Sequence, residues 1–217
     1  MKHTRSAAHP CSGARRRRGG PSGAVRAAIS IVALCLCAAA GAGGTASAAE
    51  SAPRALAPEI LFAGGGSADV VCIAVAVPIG SAMEPPGMRG ACHFMEHLAF
   101  DGSERFSREE MSRWVDDTGS FLNAFTRKET TVYFLATPSA RFEEGLELLS
   151  QMLLHSVFPP AEIEKERSVI LEEMRREADD PRSSREREIE RALYRGSGLA
   201  EPIIGYRASI ETMSERD

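Results

Sequence analysis

The stretch His93-Phe94-Met95-Glu96-His97 carries two histidines and a glutamate at a spacing that suits metal chemistry. Residues four positions apart on a helix lie about 40° apart around its axis, so both imidazoles can reach one metal ion. Glu96 projects toward the same side, where it can orient a water molecule and take its proton. The order H-x-x-E-H is a signature of zinc hydrolases. The stretch therefore predicts a zinc site with Glu96 as general base, although a buried helix with hydrogen-bonded core histidines would match the same five residues.

A second stretch offers carboxylate ligands for such a metal. Glu166 and Glu173 are seven positions apart on a long predicted helix, so they point the same way within about 20°. Both carboxylates fall within an apolar stripe that contains Ile163 and Ile170. Burying an unpaired carboxylate is costly and normally requires a cation or a metal. A catalytic zinc takes three protein ligands and keeps one position open, so the two histidines and one carboxylate from this helix would complete the set.

The first 48 residues have the organisation of a secretory signal peptide. Seven basic residues and no acidic residue occur there, and an apolar run at residues 27–40 is followed by Ala46-Ser47-Ala48. A basic leader, an apolar segment and an A-x-A cleavage site are typical of exported proteins. The rival interpretation is a mitochondrial presequence, but presequences are amphipathic, whereas this run is apolar on all sides. We therefore expect cleavage near Ala48, a flexible lead-in at 49–58 and a secreted or periplasmic protein.

Removal of this leader would make the protein strongly acidic. The leader carries seven of the 26 Lys and Arg residues and none of the 30 Asp and Glu residues, so the remainder has a formal net charge of −11. Such a protein binds nucleic acid poorly, and we expect no nucleic-acid partner. We also expect no stable membrane span, because the 14-residue apolar run is shorter than the roughly 20 residues that a transmembrane helix needs. Cys72 and Cys92 remain, either as buried thiols or as a disulfide.

The order of predicted elements is strand, two helices, two strands and three helices, which indicates an α+β domain. We predict a mixed, largely antiparallel sheet with the helices packed on one side. A β-branched run at 70–77 has apolar residues on both faces and predicts a central strand, and a short strand is expected at 60–63. The other elements are predicted as helices at 87–100, 107–119, 139–155, 160–180 and 181–194, and as strands at 121–126 and 130–137.

Taken together, these motifs resemble the pitrilysin family of zinc peptidases, which includes insulin-degrading enzyme and the mitochondrial processing peptidase. The resemblance runs from about residue 69 to the end of the chain. It rests on motifs in the family's order: Gly80-Ser81 with Glu84, residues 90–97 (GACHFMEH), Gly119 with residues 122–126 (LNAFT), and residues 164–174 (EKERSVILEEM).

The resemblance implies a role for each site residue. The family's third zinc ligand is a glutamate at the spacing that separates Glu173 from His97, which is 76 positions. The neighbouring Glu172 would point about 100° away around the helix. Glu166 corresponds to a carboxylate that steadies the ligands and tunes the site. The family's substrate-binding edge strand, to which an extended peptide adds by main-chain hydrogen bonds, corresponds to Leu122, Asn123, Ala124, Phe125 and Thr126.

The implied function is a zinc-dependent endopeptidase that hydrolyses peptides or short unfolded proteins, with one zinc held by His93, His97 and Glu173 and water activated by Glu96. The alternative is a non-catalytic family member that acts as a scaffold or assembly subunit. Family members are built from paired domains that close around the substrate, so we expect a second homologous domain or subunit as a partner. Residues 214–217 (SERD) are typical of the capped start of another helix. We therefore interpret residues 59–217 as a truncated N-terminal metallopeptidase domain, which by itself should be inactive.

Overall fold

A computed structural model describes residues 59–61, 63 and 69–215 of the chain. The predicted signal peptide at 1–48 and the predicted lead-in at 49–58 lie outside the described residues. Ile60, Leu61 and Ala63 are outside any strand, so the short strand predicted at 60–63 is wrong for these three residues. Of the helix predicted to start near Ser214, only Ser214 and Glu215 are described, and neither is helical.

The described residues form one antiparallel sheet of three strands, β1 (Val70–Val77), β2 (Phe121–Thr126) and β3 (Thr131–Pro138), in the order β1-β3-β2. Thr131 pairs with both Val77 and Thr126, so the three strands end level on that side. The prediction of β1 as a central strand is wrong for the described sheet, in which β3 is central. One face of β1 is exposed and consists of the alternate residues Val70, Cys72, Ala74 and Ala76. Because these side chains are small and apolar, the sequence of this exposed face resembles that of a buried one.

The described part of the chain contains six α-helices: α1 (Ala91–Leu98), α2 (Arg108–Thr118), α3 (Phe142–Leu154), α4 (Pro160–Asp179), α5 (Pro181–Leu193) and α6 (Arg207–Thr212). Local chemistry sets several of their ends. Ser107 and Glu110 form the predicted capping box of α2, and Gly119 ends that helix at φ 64°. Helix α3 begins later than predicted, because residues 139–141 form a 3₁₀ turn and Ser139 is not its N-cap.

The core is divided into two clusters of buried side chains. One cluster lies between the sheet and helices α2 and α3 and contains Tyr133, Met111, Leu148, Leu149 and Met152. The other joins α1, α4 and α6 and contains Phe94, Leu98, Ile163, Ile170 and Ile210. The fold is therefore α+β, with an antiparallel sheet and helices packed against it, as predicted. The second cluster is the one that fixes α1 against α4, the two helices that carry the predicted metal ligands.

Among the described residues, no helix combines the length and the apolar composition of a membrane span.

Candidate metal centre

Helix α1 is fixed at its N-terminus by a buried carboxylate from the preceding loop. Glu84 accepts hydrogen bonds from the backbone N–H groups of Gly90 and Cys92, both at 2.7 Å. The first amides of a helix have no intrahelical partner, so a carboxylate there satisfies them and also suits the positive end of the helix dipole. Gly90 has φ 100°, and a Cβ at this position would lie 2.7 Å from the carbonyl oxygen of Ile204. The start and the direction of α1 are therefore set before its histidines begin.

The structure brings the three predicted metal ligands together. The Oε2 atom of Glu173 lies 3.6 Å from Nε2 of His97 and 3.9 Å from Nε2 of His93. The two imidazole rings are 4.7 Å apart at an interplanar angle of 70°, and one ligand atom from each residue lies within 4.8 Å of the others. A tetrahedral zinc with ligand distances of 2.0–2.1 Å holds its donors about 3.3 Å apart. Two imidazole nitrogens and a carboxylate oxygen at these separations fit a zinc ion after small side-chain movements.

Burial favours the ligating form of His93. Removal of the ring from water, reinforced by the neighbouring His97, lowers the pKa of His93 to about 4, while Glu173 acts weakly in the opposite direction. His93 is therefore a neutral imidazole at pH 7, which is the form that can donate a lone pair to a metal.

Glu166 lies behind His97, on the side away from Glu173. Its Oε2 atom is 3.0 Å from Nδ1 of His97, and its Oε1 atom accepts a hydrogen bond from Nη1 of Arg108 at 3.0 Å. Burial pushes the pKa of Glu166 up, but the hydrogen bonds from His97 and Arg108 outweigh burial and leave that pKa below its usual value. An ionised Glu166 assigns the proton of His97 to Nδ1, which leaves Nε2 free to face Glu173.

Glu96 is held beside the sheet rather than among the predicted ligands. Its Oε2 atom accepts a hydrogen bond of 2.5 Å from the hydroxyl of Thr126, at the end of β2. The same hydroxyl lies 3.4 Å from the carbonyl oxygen of Cys92. This contact connects α1 directly to the strand predicted to bind substrate. A glutamate carboxylate is a group that can accept a proton from a water molecule.

The predicted substrate strand lies at an edge of the described sheet, because β2 pairs with β3 on one side only. Along β2, Phe121, Asn123 and Phe125 are exposed, whereas Leu122, Ala124 and Thr126 point inward. Asn123 accepts a hydrogen bond from the backbone N–H of Ala124 through its own side-chain oxygen at 2.8 Å. The geometry of β2 is compatible with the addition of an extended peptide strand.

Several groups around the site could not be predicted from the sequence. Arg108 and Asp101 lie in stretches that read as polar surface. Arg108 contacts Glu166, 58 positions further along the chain, and it also contacts Asp101. Thr126 was predicted as part of the substrate strand but not as a partner of Glu96. Cys72 and Cys92 are free thiols, and burial together with the nearby Glu84 raises the pKa of Cys92 to about 12. Neither thiol is among the candidate metal ligands.

Comparison with known proteins assigns the chain to one family of peptidases. The sequence model of the family described as "Insulinase (Peptidase family M16)" matches residues 64–207. The chain belongs to this family, which is the family that its motifs resemble.

Individual relatives agree with this membership. The chain is 32% identical to an uncharacterised zinc protease, YmxG, of Bacillus subtilis over 144 residues, which are 66% of this chain and 35% of that protein. It is 31% identical to the mitochondrial-processing peptidase subunit beta of Caenorhabditis elegans, over 70% of this chain and 33% of that protein. A crystal structure of a protease from Helicobacter pylori superposes with a TM-score of 0.65 at 26% identity, over 69% of this chain and 36% of that one. The chain thus spans about a third of the length of the relatives it matches.

Proposed function

We propose that this chain carries the zinc site of an endopeptidase that hydrolyses peptides or short unfolded proteins. The observation that carries the proposal is that ligand atoms of His93, His97 and Glu173 lie within 4.8 Å of one another. Glu96 is on the same helix as the two histidines. Membership of a peptidase family and relatives named as zinc proteases support the reaction class. The activity is proposed for the whole protein, because the chain covers about a third of each such relative.

In this proposal His93, His97 and Glu173 hold one zinc ion, and Glu166 keeps the His97 ring turned so that Nε2 faces it. Zinc, when bound, supplies Lewis-acid chemistry: it makes water more acidic and polarises a carbonyl group. Glu96 accepts the proton from the attacking water and can return it to the leaving amine. The hydroxyl of Thr126 orients the Glu96 carboxylate for both transfers.

Strand β2 is the proposed substrate-binding strand, through residues Leu122 to Thr126. A peptide added to its edge would be held mainly by main-chain hydrogen bonds, so we expect extended substrates and weak sequence selectivity. The exposed rings of Phe121 and Phe125 lie on either side of Phe134, at 5.9 and 6.2 Å between ring centres, and border this edge with an apolar surface.

A second homologous domain or subunit is the proposed partner that closes the site and excludes water. The relative from Caenorhabditis elegans is named as a subunit, which supports an assembly of this kind. We propose a secreted or periplasmic location, from the leader at residues 1–48, with a mitochondrial location as the alternative.

A non-catalytic scaffold of the same fold is the competing function. It would have no need of a general base, and here Glu96 is present on the helix that carries His93 and His97. The substitution Glu96→Gln separates the two functions, because the amide keeps the shape of the side chain but cannot take a proton.

We expect full-length Glu96→Gln protein to retain zinc and to cleave an unfolded peptide about 10²- to 10⁴-fold more slowly than the wild type. The matched control is Glu104→Gln, an exposed glutamate that should leave both quantities unchanged. Zinc content and cleavage rate are measured on the same preparation. A Glu96→Gln protein that holds zinc and cleaves within a few-fold of the wild type would remove Glu96 from the mechanism.

A further inference from the structure

Two buried carboxylates on different elements share one arginine behind the candidate metal centre. Nη1 of Arg108, on α2, contacts Oε1 of Glu166 on α4 and Oδ1 of Asp101 in the connection between α1 and α2. Glu166 is 5% exposed and the Asp101 side chain is 1% exposed. Both contacts use the same guanidinium nitrogen, so a single positive centre lies between the two negative ones.

This arrangement extends to the metal ligands through Glu166. One oxygen of that carboxylate meets Arg108 at 3.0 Å, and the other meets Nδ1 of His97 at 3.0 Å. Without the arginine, the negative charges of Glu166 and Asp101 would be buried with no cation in contact, which is costly. The Glu166 carboxylate would then lose the contact that fixes one of its two oxygens and could turn toward water. Its other oxygen would no longer accept the Nδ1 hydrogen bond of His97 in a fixed geometry.

We propose that Arg108 is a positioning residue for the metal site. It fixes the Glu166 carboxylate between its own guanidinium group and the His97 ring, and thereby holds the His97 imidazole as the tautomer that presents Nε2 to the zinc ion. The inference rests on the zinc site proposed above. It adds to that site an ion-paired support that joins α1, α2 and α4.

The test compares three variants of the full-length protein. Arg108→Met removes the charge and keeps an apolar stem. Arg108→Lys keeps a positive charge close to the position of the guanidinium group, so it is the conservative rescue. Arg105→Met is the control, because Arg105 is an exposed residue of the connection between α1 and α2, and its ion pair with Glu147 lies at the surface. The affinity for zinc is measured by competition with a chelator, and the tautomer of His97 is read from the ¹⁵N shifts of its ring in the metal-free protein.

We expect Arg108→Met to weaken zinc binding by about 10- to 100-fold, which is the usual effect of losing an outer partner of a ligand. It should also convert His97 from a single Nδ1-protonated form to a mixture of tautomers. Arg108→Lys should restore both properties to within a few-fold of the wild type, and Arg105→Met should change neither. Because Arg108→Met leaves two carboxylates unpaired and could impair folding, the double variant Arg108→Met with Asp101→Asn is measured as well. It buries one charge fewer and should show the same loss of zinc affinity.

Failure of this inference is distinguishable from failure of the proposed zinc site. A wild-type protein that binds no zinc would contradict the site, and the ring shifts of metal-free His97 would still test the role of Arg108. If the wild type binds zinc, and Arg108→Met or the double variant binds it equally well with an unchanged His97 tautomer, Arg108 does not position the site.

Discussion

Helices α4 and α5 follow each other in the chain and are similarly rich in charge, yet they contribute to the molecule in different ways. Helix α4 buries Ile163, Glu166 and Ile170, whereas α5 buries none of its residues. On α5, Glu188 pairs with Arg191 within the helix, and Glu190 pairs with Lys128 from another part of the chain. Two acidic residues of α4, Glu166 and Glu173, lie instead on the side that faces the histidines of α1.

The charged residues of a helix differ in whether they are candidates for chemistry. Ion pairs three or four positions apart on a solvated face are common and contribute little to stability. A carboxylate that interrupts an apolar stripe requires a specific partner, and on α4 the partners are His97 and Arg108 for Glu166, and both histidines for Glu173. Position relative to the apolar stripe, rather than the number of charges, separates the two helices.

The largest difference between α4 and α5 should appear when an apolar side chain is shortened on each helix. Ile170 of α4 is 0% exposed and belongs to the cluster that holds α1 in place, whereas Ile189 of α5 is 50% exposed. We expect Ile170→Ala to reduce the free energy of unfolding by about 2–5 kcal/mol, through lost burial and the cavity left behind. Ile189→Ala, the matched control, should change it by no more than about 0.5 kcal/mol. Denaturant unfolding of the full-length proteins measures both, and equal effects would show that α5 is packed as closely as α4.

Acid should lower the stability of the protein through His93, which lies on α1 and faces Glu173 of α4. The pKa of His93 is lowered from 6.5 to about 4 in the folded, metal-free protein. The unfolded chain therefore binds a proton that the folded protein excludes between these two values, so stability rises with pH across that window. Above about pH 6.5 this histidine does not change the free energy of unfolding. As the pH falls from about 6.5 toward about 4, it lowers the free energy of unfolding by no more than about 1.4 kcal/mol per pH unit.

The measurement is the free energy of unfolding of metal-free protein from pH 4 to 7, for the wild type and for His93→Gln. The variant should show a smaller loss at low pH because glutamine does not titrate. The same substitution at His155, which lies beside Glu104 outside the candidate metal centre, is the control for the loss of an imidazole. Identical slopes for the wild type and His93→Gln would contradict the assignment of a buried neutral imidazole.

Much of the architecture could be predicted from local signals. The capping box at Ser107, the left-handed Gly119 and the prolines at 160 and 181 marked helix ends that the structure confirms within a few residues. These features depend on short-range chemistry, so the sequence alone carries them. The interpretation of β1 as central failed because its exposed face consists of small apolar residues, and alternation cannot show which face another layer covers.

The candidate site divides in the same way. His93, Glu96 and His97 lie on one helix, so their spacing in the sequence predicts their grouping. Glu173 is distant in the sequence, and the family resemblance identified it as the third ligand. The contact of Arg108 with Glu166 could not be predicted, because it depends on how α2 and α4 pack and no periodicity relates the two residues. The contact of Thr126 with Glu96 likewise depends on how α1 lies against β2.

The neighbouring glutamates of α4 allow the most direct test of the central claim, that His93, His97 and Glu173 hold one zinc ion. Glu173 faces both histidines, whereas the adjacent Glu172 is bound to Arg175 and Arg176 on the exposed side of the helix. The measurement is the zinc content of full-length protein purified with Glu173→Gln or with Glu172→Gln. We predict that Glu173→Gln falls well below one zinc per chain while Glu172→Gln retains the wild-type content. Zinc retained at the wild-type level in Glu173→Gln, or lost only in Glu172→Gln, would contradict the account.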